Sequence, residues 1–290
     1  MPRRASAVLP SYRQAGQAAA AAADVADGLS IPTDPTGAAF FDVDNTIMRG
    51  ASIFHFAVGL ARRKFFSLPE IVDFGRRQVK FVVSGSEDLE DMASATESAL
   101  SFVQGRRVSE LVELGEEIFT DEMHDKLIPG TLALAQGHLD AGQRVWLVTA
   151  TPVELATIIA KSLGLTGALG SVAEVRDGVY TGHLVGAPLH GMAKAEAVRA
   201  IAEREGLDLS RCSAYSDSAN DIPMLTLVGN PVAVNPDSTL RQVARDNGWQ
   251  IRDYRRREKV RKAAVPIMLG GMGVAVGMAA GYAAGRVARR

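Results

Sequence analysis

The sequence is poor in the features that define several classes of protein. It has one cysteine, Cys212, among 290 residues, so it forms no internal disulfide and needs no oxidising compartment. Its basic residues are not interleaved with aromatic ones on any one stretch, so the sequence gives little support for a nucleic-acid interface. Residues 1–36 lack the leucine-rich apolar run of a signal peptide, and we expect a flexible leader. With 47% hydrophobic and 22% charged residues, the composition is that of a cytoplasmic globular protein.

A charge-free stretch near the C-terminus is the main departure from that composition. Residues 263–285 contain no charged side chain. This stretch of 23 residues is close to the length of a membrane-spanning helix. Glycine recurs there at every fourth position, a pattern that favours self-association of helices. Seven basic residues lie within residues 252–262, so a span would leave the rest of the chain at the inner face of the cell membrane. A helix docked on the body and a disordered tail are the alternatives.

The central part of the chain alternates short β-branched or aromatic runs with helical stretches, which is typical of an α/β fold with a parallel sheet. A segment of 106 residues separates Asp42 from Thr149, too long for one crossover, and its periodicity predicts an inserted cap of four helices. The predicted organisation is a leader over 1–36, a core over 37–49 and 128–254, a helical cap over 50–127, and an apolar helix over 263–285.

Two carboxylates follow the first predicted strand, over residues 38–41. Asp42 and Asp44 are two residues apart and precede a short polar run that ends at Thr46. At this spacing one carboxylate is able to attack phosphorus while the other transfers protons. Taken alone, the pattern also fits a solvated turn or a helix cap.

Three further segments make the pattern more specific. They are a strand over residues 145–148 that runs into Thr149, a lysine at Lys194, and the acidic run of residues 216–221. Together with residues 42–46, these segments resemble the four motifs of the haloacid dehalogenase (HAD) superfamily, in the same order. The resemblance covers about residues 38–251 and implies a Rossmann-like parallel sheet with active-site residues at its carboxyl edge.

The resemblance also implies a role for each motif residue. Asp42 is the expected nucleophile and Asp44 the general acid and base, while Thr149 and Lys194 hold the phosphoryl group. Mg²⁺, the implied cofactor, has hard oxygen ligands. The expected metal residues are Asp42, Asp44, Asp217 and Asp221, and the expected supporting donors to the phosphoryl group are Thr46 and Asn220.

The length of the insert and the hairpin expected around Asp177 and Gly178 indicate the phosphoserine phosphatase-like branch, subfamily IB, with a type-one cap. The expected activity is hydrolysis of a small phosphorylated metabolite or head group. Phosphoserine itself is less favoured, because Ala51 occupies the position where those phosphatases carry an acidic residue for the substrate amine. The alternative is a membrane-attached regulatory or interaction protein that keeps the fold with little catalysis.

Overall fold

The computed structural model describes residues 36–65 and 103–254. By its internal contacts the chain divides into two units, Met1–Ile251 and Arg252–Arg290, and the helices and the candidate site described below belong to the first. The predictions for the leader, for two of the four cap helices and for the apolar helix at 263–285 lie outside the described residues. Within the described residues, no helix is long and apolar enough to cross a membrane.

A six-stranded sheet, counted over the described residues, forms the centre of the fold, in the order β3-β2-β1-β6-β7-β8. The pairs β1–β2, β1–β6, β2–β3 and β6–β7 are all parallel, which confirms the predicted α/β class. The strands are β1 (Ala38–Phe41), β2 (Arg144–Pro152), β3 (Gly167–Ser171), β6 (Ser213–Ser216), β7 (Asn230–Val234) and β8 (Gln250–Arg252).

Strand β1 lies in the middle of this sheet, and all four of its residues are fully buried. A strand buried on both faces is a continuous apolar run, and the sequence Ala-Ala-Phe-Phe has that character. Seven helices of the described ranges surround the sheet or belong to the insert. They are α1 (Ser52–Arg62), α2 (Val108–Ile118), α3 (Pro129–Asp140), α4 (Val153–Leu163), α5 (Met192–Glu205), α6 (Ile222–Leu225) and α7 (Ser238–Asp246).

Strands β4 (Ala173–Arg176) and β5 (Val179–Leu184) form a separate antiparallel hairpin. Its turn residues Asp177 and Gly178 both have positive φ, 51° and 76°, as the predicted tight Asp-Gly turn requires. Backbone hydrogen bonds between Tyr180 and both Gly105 and Arg106 join the hairpin to the chain just before α2.

Several predicted boundaries were wrong, for local reasons. The periodicity of the sequence predicts the first cap helix over residues 53–66, whereas helix α1 ends at Arg62, because the chain turns at Lys64 with φ of 56°. Strand β2, expected to stop before Thr149, continues to Pro152, since its β-branched threonines favour extended backbone. Thr149 therefore lies inside a strand and is buried.

Candidate active site

A buried lysine joins two buried carboxylates where the central strands end. The Nζ atom of Lys194 lies 2.6 Å from Oδ1 of Asp42 and 2.7 Å from Oδ2 of Asp221. The side chains are 5%, 7% and 3% exposed, respectively, so this ion-paired cluster is shielded from bulk water. The structure thus brings together Asp42 from the first motif, Lys194 from the third and Asp221 from the fourth.

Each member of the cluster is positioned by the element that carries it. Asp42 directly follows β1, and its backbone N–H donates to the carbonyl of Tyr215 at 2.9 Å, which extends the β1–β6 pairing by one residue. Lys194 is in the first turn of α5, after Gly191, whose positive φ of 55° turns the chain into the helix. Asp221 also accepts a hydrogen bond from the hydroxyl of Ser216 at 2.7 Å.

Burial and crowding of acids change the pKa values of these groups. Burial raises the pKa of Asp42 to about 8, against the lowering effect of Lys194. Burial, with the charge of Asp221, raises the pKa of Asp217 to about 7. For Lys194 burial lowers the pKa, but the charges of Asp42 and Asp221 outweigh it and the pKa is raised. The cluster therefore favours binding of a further cation, which would stabilise the ionised carboxylates.

Asp44 is held by the first residue of helix α1. Its Oδ1 atom accepts hydrogen bonds from the backbone N–H and the hydroxyl of Ser52, at 2.8 and 2.6 Å. The Ser52 hydroxyl is also 2.7 Å from the hydroxyl of Thr151. The backbone N–H of Thr151 donates in turn to the hydroxyl of Thr149 at 3.2 Å. Asp44 and Thr149, predicted as separate site residues, are thus connected through Ser52 and Thr151. Thr151 contacts Ser52 with its hydroxyl and Thr149 with its backbone N–H.

The loop that carries Asp217 is fixed by Asp237 at the start of α7. The backbone N–H of Asp237 donates to the carbonyl of Asp217 at 2.8 Å, and its carboxylate accepts from the backbone N–H of Ala219 at 2.7 Å. The same carboxylate caps α7 by accepting from Leu240. One side chain therefore sets the path of the fourth motif and the start of a helix.

The two predicted supporting donors are in different environments. Thr46 is fully buried, and its hydroxyl has no hydrogen-bond partner among the described residues. Asn220 is exposed, and its backbone N–H donates to the hydroxyl of Ser218. Neither side chain forms a hydrogen bond with Asp42, Lys194 or Asp221 in the part of the chain that the structure describes.

The sequence assigned no role to four residues that support the site. Ser52, Thr151 and Asp237 lie outside the four motifs, so their contacts come from tertiary structure. Ser216 had a detectable signal, because it is a polar residue at the end of a buried strand and directly precedes Asp217.

Comparison with known proteins agrees with this arrangement. The family model described as haloacid dehalogenase-like hydrolase matches residues 39–226, which include Asp42, Thr149, Lys194 and Asp221. The chain belongs to this family. The resemblance inferred from the four motifs is therefore confirmed.

Relatives and a solved structure extend the comparison. The chain is 55% identical over 247 residues to phosphoserine phosphatase SerB1 of Mycobacterium tuberculosis, covering 84% of this chain and 80% of that protein. It is 33% identical over 223 residues to the probable phosphatase Rv3661 of the same organism, covering 76% of each chain. A Bordetella pertussis protein of unknown function has a similar crystal structure, with TM-score 0.67, 31% identity, and coverage of 76% of this chain and 99% of that one. The family match and the relatives named as phosphatases confirm the prediction of a HAD-type phosphatase.

Proposed function

We propose that this HAD hydrolase is a Mg²⁺-dependent phosphomonoester hydrolase that acts through an aspartyl phosphate on a small phosphorylated metabolite or head group. The observation that carries the proposal is the buried contact of Lys194 with both Asp42 and Asp221. A buried ammonium between two carboxylates provides the fixed positive charge that phosphoryl transfer needs, because this chemistry depends mainly on positioning and electrostatic stabilisation.

The acidic residues fit a magnesium ion by their chemistry. The expected donors are the carboxylates of Asp42 and Asp217 and the backbone carbonyl of Asp44, with Asp221 orienting a metal-bound water. All are hard oxygen ligands, and a bound cation would stabilise the ionised forms of Asp42 and Asp217, whose pKa values are raised by burial and by neighbouring acids. No group of three or more His, Cys, Asp or Glu side chains forms a metal cluster within the described residues, but Mg²⁺ commonly keeps several waters and needs few protein ligands. When bound, the ion would neutralise charge on the phosphoryl group.

Each remaining role follows from the residues of the chain. A carboxylate oxygen of Asp42 forms a bond to phosphorus while the bond from phosphorus to the ester oxygen breaks, and Asp44 gives its proton to that oxygen. Asp44 then takes a proton from water as the water oxygen attacks the aspartyl phosphate and releases inorganic phosphate. Lys194 stabilises the charge on the phosphoryl oxygens, and the hydroxyl of Thr149, which accepts from Thr151, keeps its hydrogen to donate to one of them. Thr46 and Asn220 stay predicted supporting donors.

Phosphoserine is the second candidate substrate, favoured by the name of the 55% identical relative. Against it, Ala51 offers no charge to a substrate ammonium at the position where those phosphatases are expected to carry an acidic residue. We therefore favour a substrate without an amine beside the phosphate.

Phosphate release by the full-length protein tests the proposal. A panel of phosphomonoesters that includes phosphoserine is assayed with Mg²⁺ and with EDTA, beside Asp42→Asn. We expect turnover of at least one ester that is lost with EDTA and falls at least about 1,000-fold in Asp42→Asn, since the nucleophile is removed. Mg²⁺-dependent turnover that Asp42→Asn retains would contradict the aspartyl-phosphate proposal, and silence of the folded wild-type protein on every ester would favour the regulatory alternative.

A further inference from the structure

The carboxylate of Asp44 takes the place of a capping residue for helix α1. The residue before this helix is Ala51, whose side chain makes no capping hydrogen bond. Oδ1 of Asp44 instead accepts from the backbone N–H of Ser52, eight residues along the chain, at 2.8 Å. Unsatisfied N–H groups at a helix start stabilise a negative charge, so helix and carboxylate stabilise each other.

The hydroxyl of Ser52 adds a second hydrogen bond to the same oxygen. It donates to Oδ1 of Asp44 at 2.6 Å, and a serine hydroxyl has one hydrogen to give. The 2.7 Å contact between Ser52 and Thr151 must then be a hydrogen bond that Thr151 donates. While Asp44 is ionised its oxygens only accept, so the Thr151 hydroxyl donates to Ser52 and Ser52 donates to Asp44. Ser52 is fully buried, so water does not compete for these bonds.

This pattern distinguishes the two oxygens of Asp44. A carboxylate oxygen has two lone pairs, and both acceptor positions of Oδ1 are filled by the N–H and O–H of Ser52. Oδ2 is therefore the oxygen of Asp44 that these hydrogen bonds leave open for exchanging a proton. General acid catalysis requires the proton on the atom that faces the leaving group, so the choice of oxygen affects the rate.

We propose that Ser52 is a positioning residue for Asp44, which reserves Oδ2 as the atom that exchanges protons with the leaving group and with water. The inference rests on the proposed phosphatase function and deepens it. It also makes proton transfer depend on helix α1 of the insert, because Ser52 is the first residue of that helix. Thr151 supports the arrangement from β2 by fixing the hydroxyl of Ser52.

The chain contains a matched control for this interaction. Ser210 donates its backbone N–H and its hydroxyl to Oδ1 of Asp208, at 2.9 and 2.7 Å, in the same manner as Ser52 and Asp44. Both residues are exposed and precede β6, at the opposite end of that strand from Asp217. Substituting Ser210 thus removes the same kind of bond away from the site.

The experiment compares esters with different leaving groups. kcat/KM of the full-length protein is measured with ethyl phosphate, whose leaving oxygen needs a proton, and with p-nitrophenyl phosphate, whose leaving group departs as a stable anion. We expect Ser52→Ala to lower kcat/KM for ethyl phosphate about tenfold more than for p-nitrophenyl phosphate, because general acid catalysis contributes about 100-fold or more. Asp44→Asn should also lower kcat/KM more for ethyl phosphate than for p-nitrophenyl phosphate, and the difference should be larger than in Ser52→Ala. In Thr151→Val the same difference should be smaller than in Ser52→Ala.

Ser210→Ala should leave the ratio of the two kcat/KM values unchanged. Equal losses on both esters in Ser52→Ala, or no loss, would overturn the inference while the phosphatase function stood. Absence of turnover by the wild-type protein of these two esters and of every ester of the panel would instead contradict the proposed function itself.

Discussion

Lys194 joins Asp42 to Asp221 of the fourth motif through a single ammonium. Its value to the fold depends on burial, because an exposed ion pair contributes about 0–1 kcal/mol whereas removing one partner of a buried pair costs about 3–5 kcal/mol. Two carboxylates would lose their partner at once if this lysine were removed.

Lys194→Met should therefore lower the free energy of unfolding by about 3 kcal/mol, measured by urea denaturation at neutral pH. Lys161→Met is the control, because Lys161 forms an exposed ion pair with Glu116 and its loss should cost less than about 1 kcal/mol. Similar losses in the two variants would show that the buried cluster adds no special stability.

His138 is a buried histidine beneath the central strands, next to the rings of Phe41 and Tyr215. Its ring hydrogen-bonds Gln143 and the Tyr215 hydroxyl, the latter at 2.7 Å. Burial lowers the pKa of His138 below its usual 6.5. The folded protein thus keeps this ring neutral at a pH where the unfolded chain takes up a proton.

The lowered pKa of His138 makes the stability of the protein depend on pH. Stability from a neutral buried His138 is present above pH 6.5 and is lost as the pH falls below it, by up to about 1.4 kcal/mol per pH unit. The free energy of unfolding between pH 7.5 and 5.5 should therefore fall more steeply for wild type than for His138→Gln. The acidic groups are common to both proteins and cancel in the difference, so parallel slopes would contradict the assignment.

At the scale of elements, helices α1 and α2 of the insert pack closely at one glycine. A Cβ atom placed on Gly59 would lie 2.4 Å from Cγ2 of Ile118, a side chain that is fully buried. The two helices contact each other because Gly59 has no side chain. The position of α1 also sets the position of Ser52, at its first residue.

Gly59→Ala is thus expected to destabilise the protein by about 1–3 kcal/mol through overpacking, although alanine in a helix normally gains about 1 kcal/mol over glycine. The measurement is urea denaturation of Gly59→Ala alone and in the background of Ile118→Ala, where space is available. A stabilising effect of Gly59→Ala in the wild-type background would show that the helices are not in close contact there.

The elements that the sequence predicted well are those with a strong local pattern. Strand β1 has its predicted bounds because its four apolar residues run directly into Asp42, and the hairpin turn has its Asp-Gly signal. Strand β3 was missed because Gly167–Ser171 is rich in small residues. Helix α3 was missed for a related reason, since its sequence has little separation of polar from apolar faces.

Part of the site was likewise predictable and part was not. Asp42, Lys194 and Asp221 each follow a strand or begin a helix in a recognisable motif, and the fold brings them together. The contact of Ser52 with Thr151 joins residues 99 positions apart, and no local pattern indicates it. Predicting that contact requires the packing of the insert on the core.

For the molecule as a whole, membership of the haloacid dehalogenase-like hydrolase family applies to residues 39–226, which include the candidate site. Association of residues 263–285 with the membrane, and self-association through them, stay predictions from sequence. In the core, we propose that Asp42 carries the phosphoryl group during turnover.

Trapping the phosphorylated enzyme tests that claim most directly. The protein is quenched in acid during turnover of the best ester of the panel, and its peptides are analysed by mass spectrometry. We predict a phosphoryl group on the peptide that contains Asp42, released by hydroxylamine as an acyl phosphate is and absent from Asp42→Asn. Steady turnover with no phosphoryl group on that peptide, or with the group on another residue, would contradict the account.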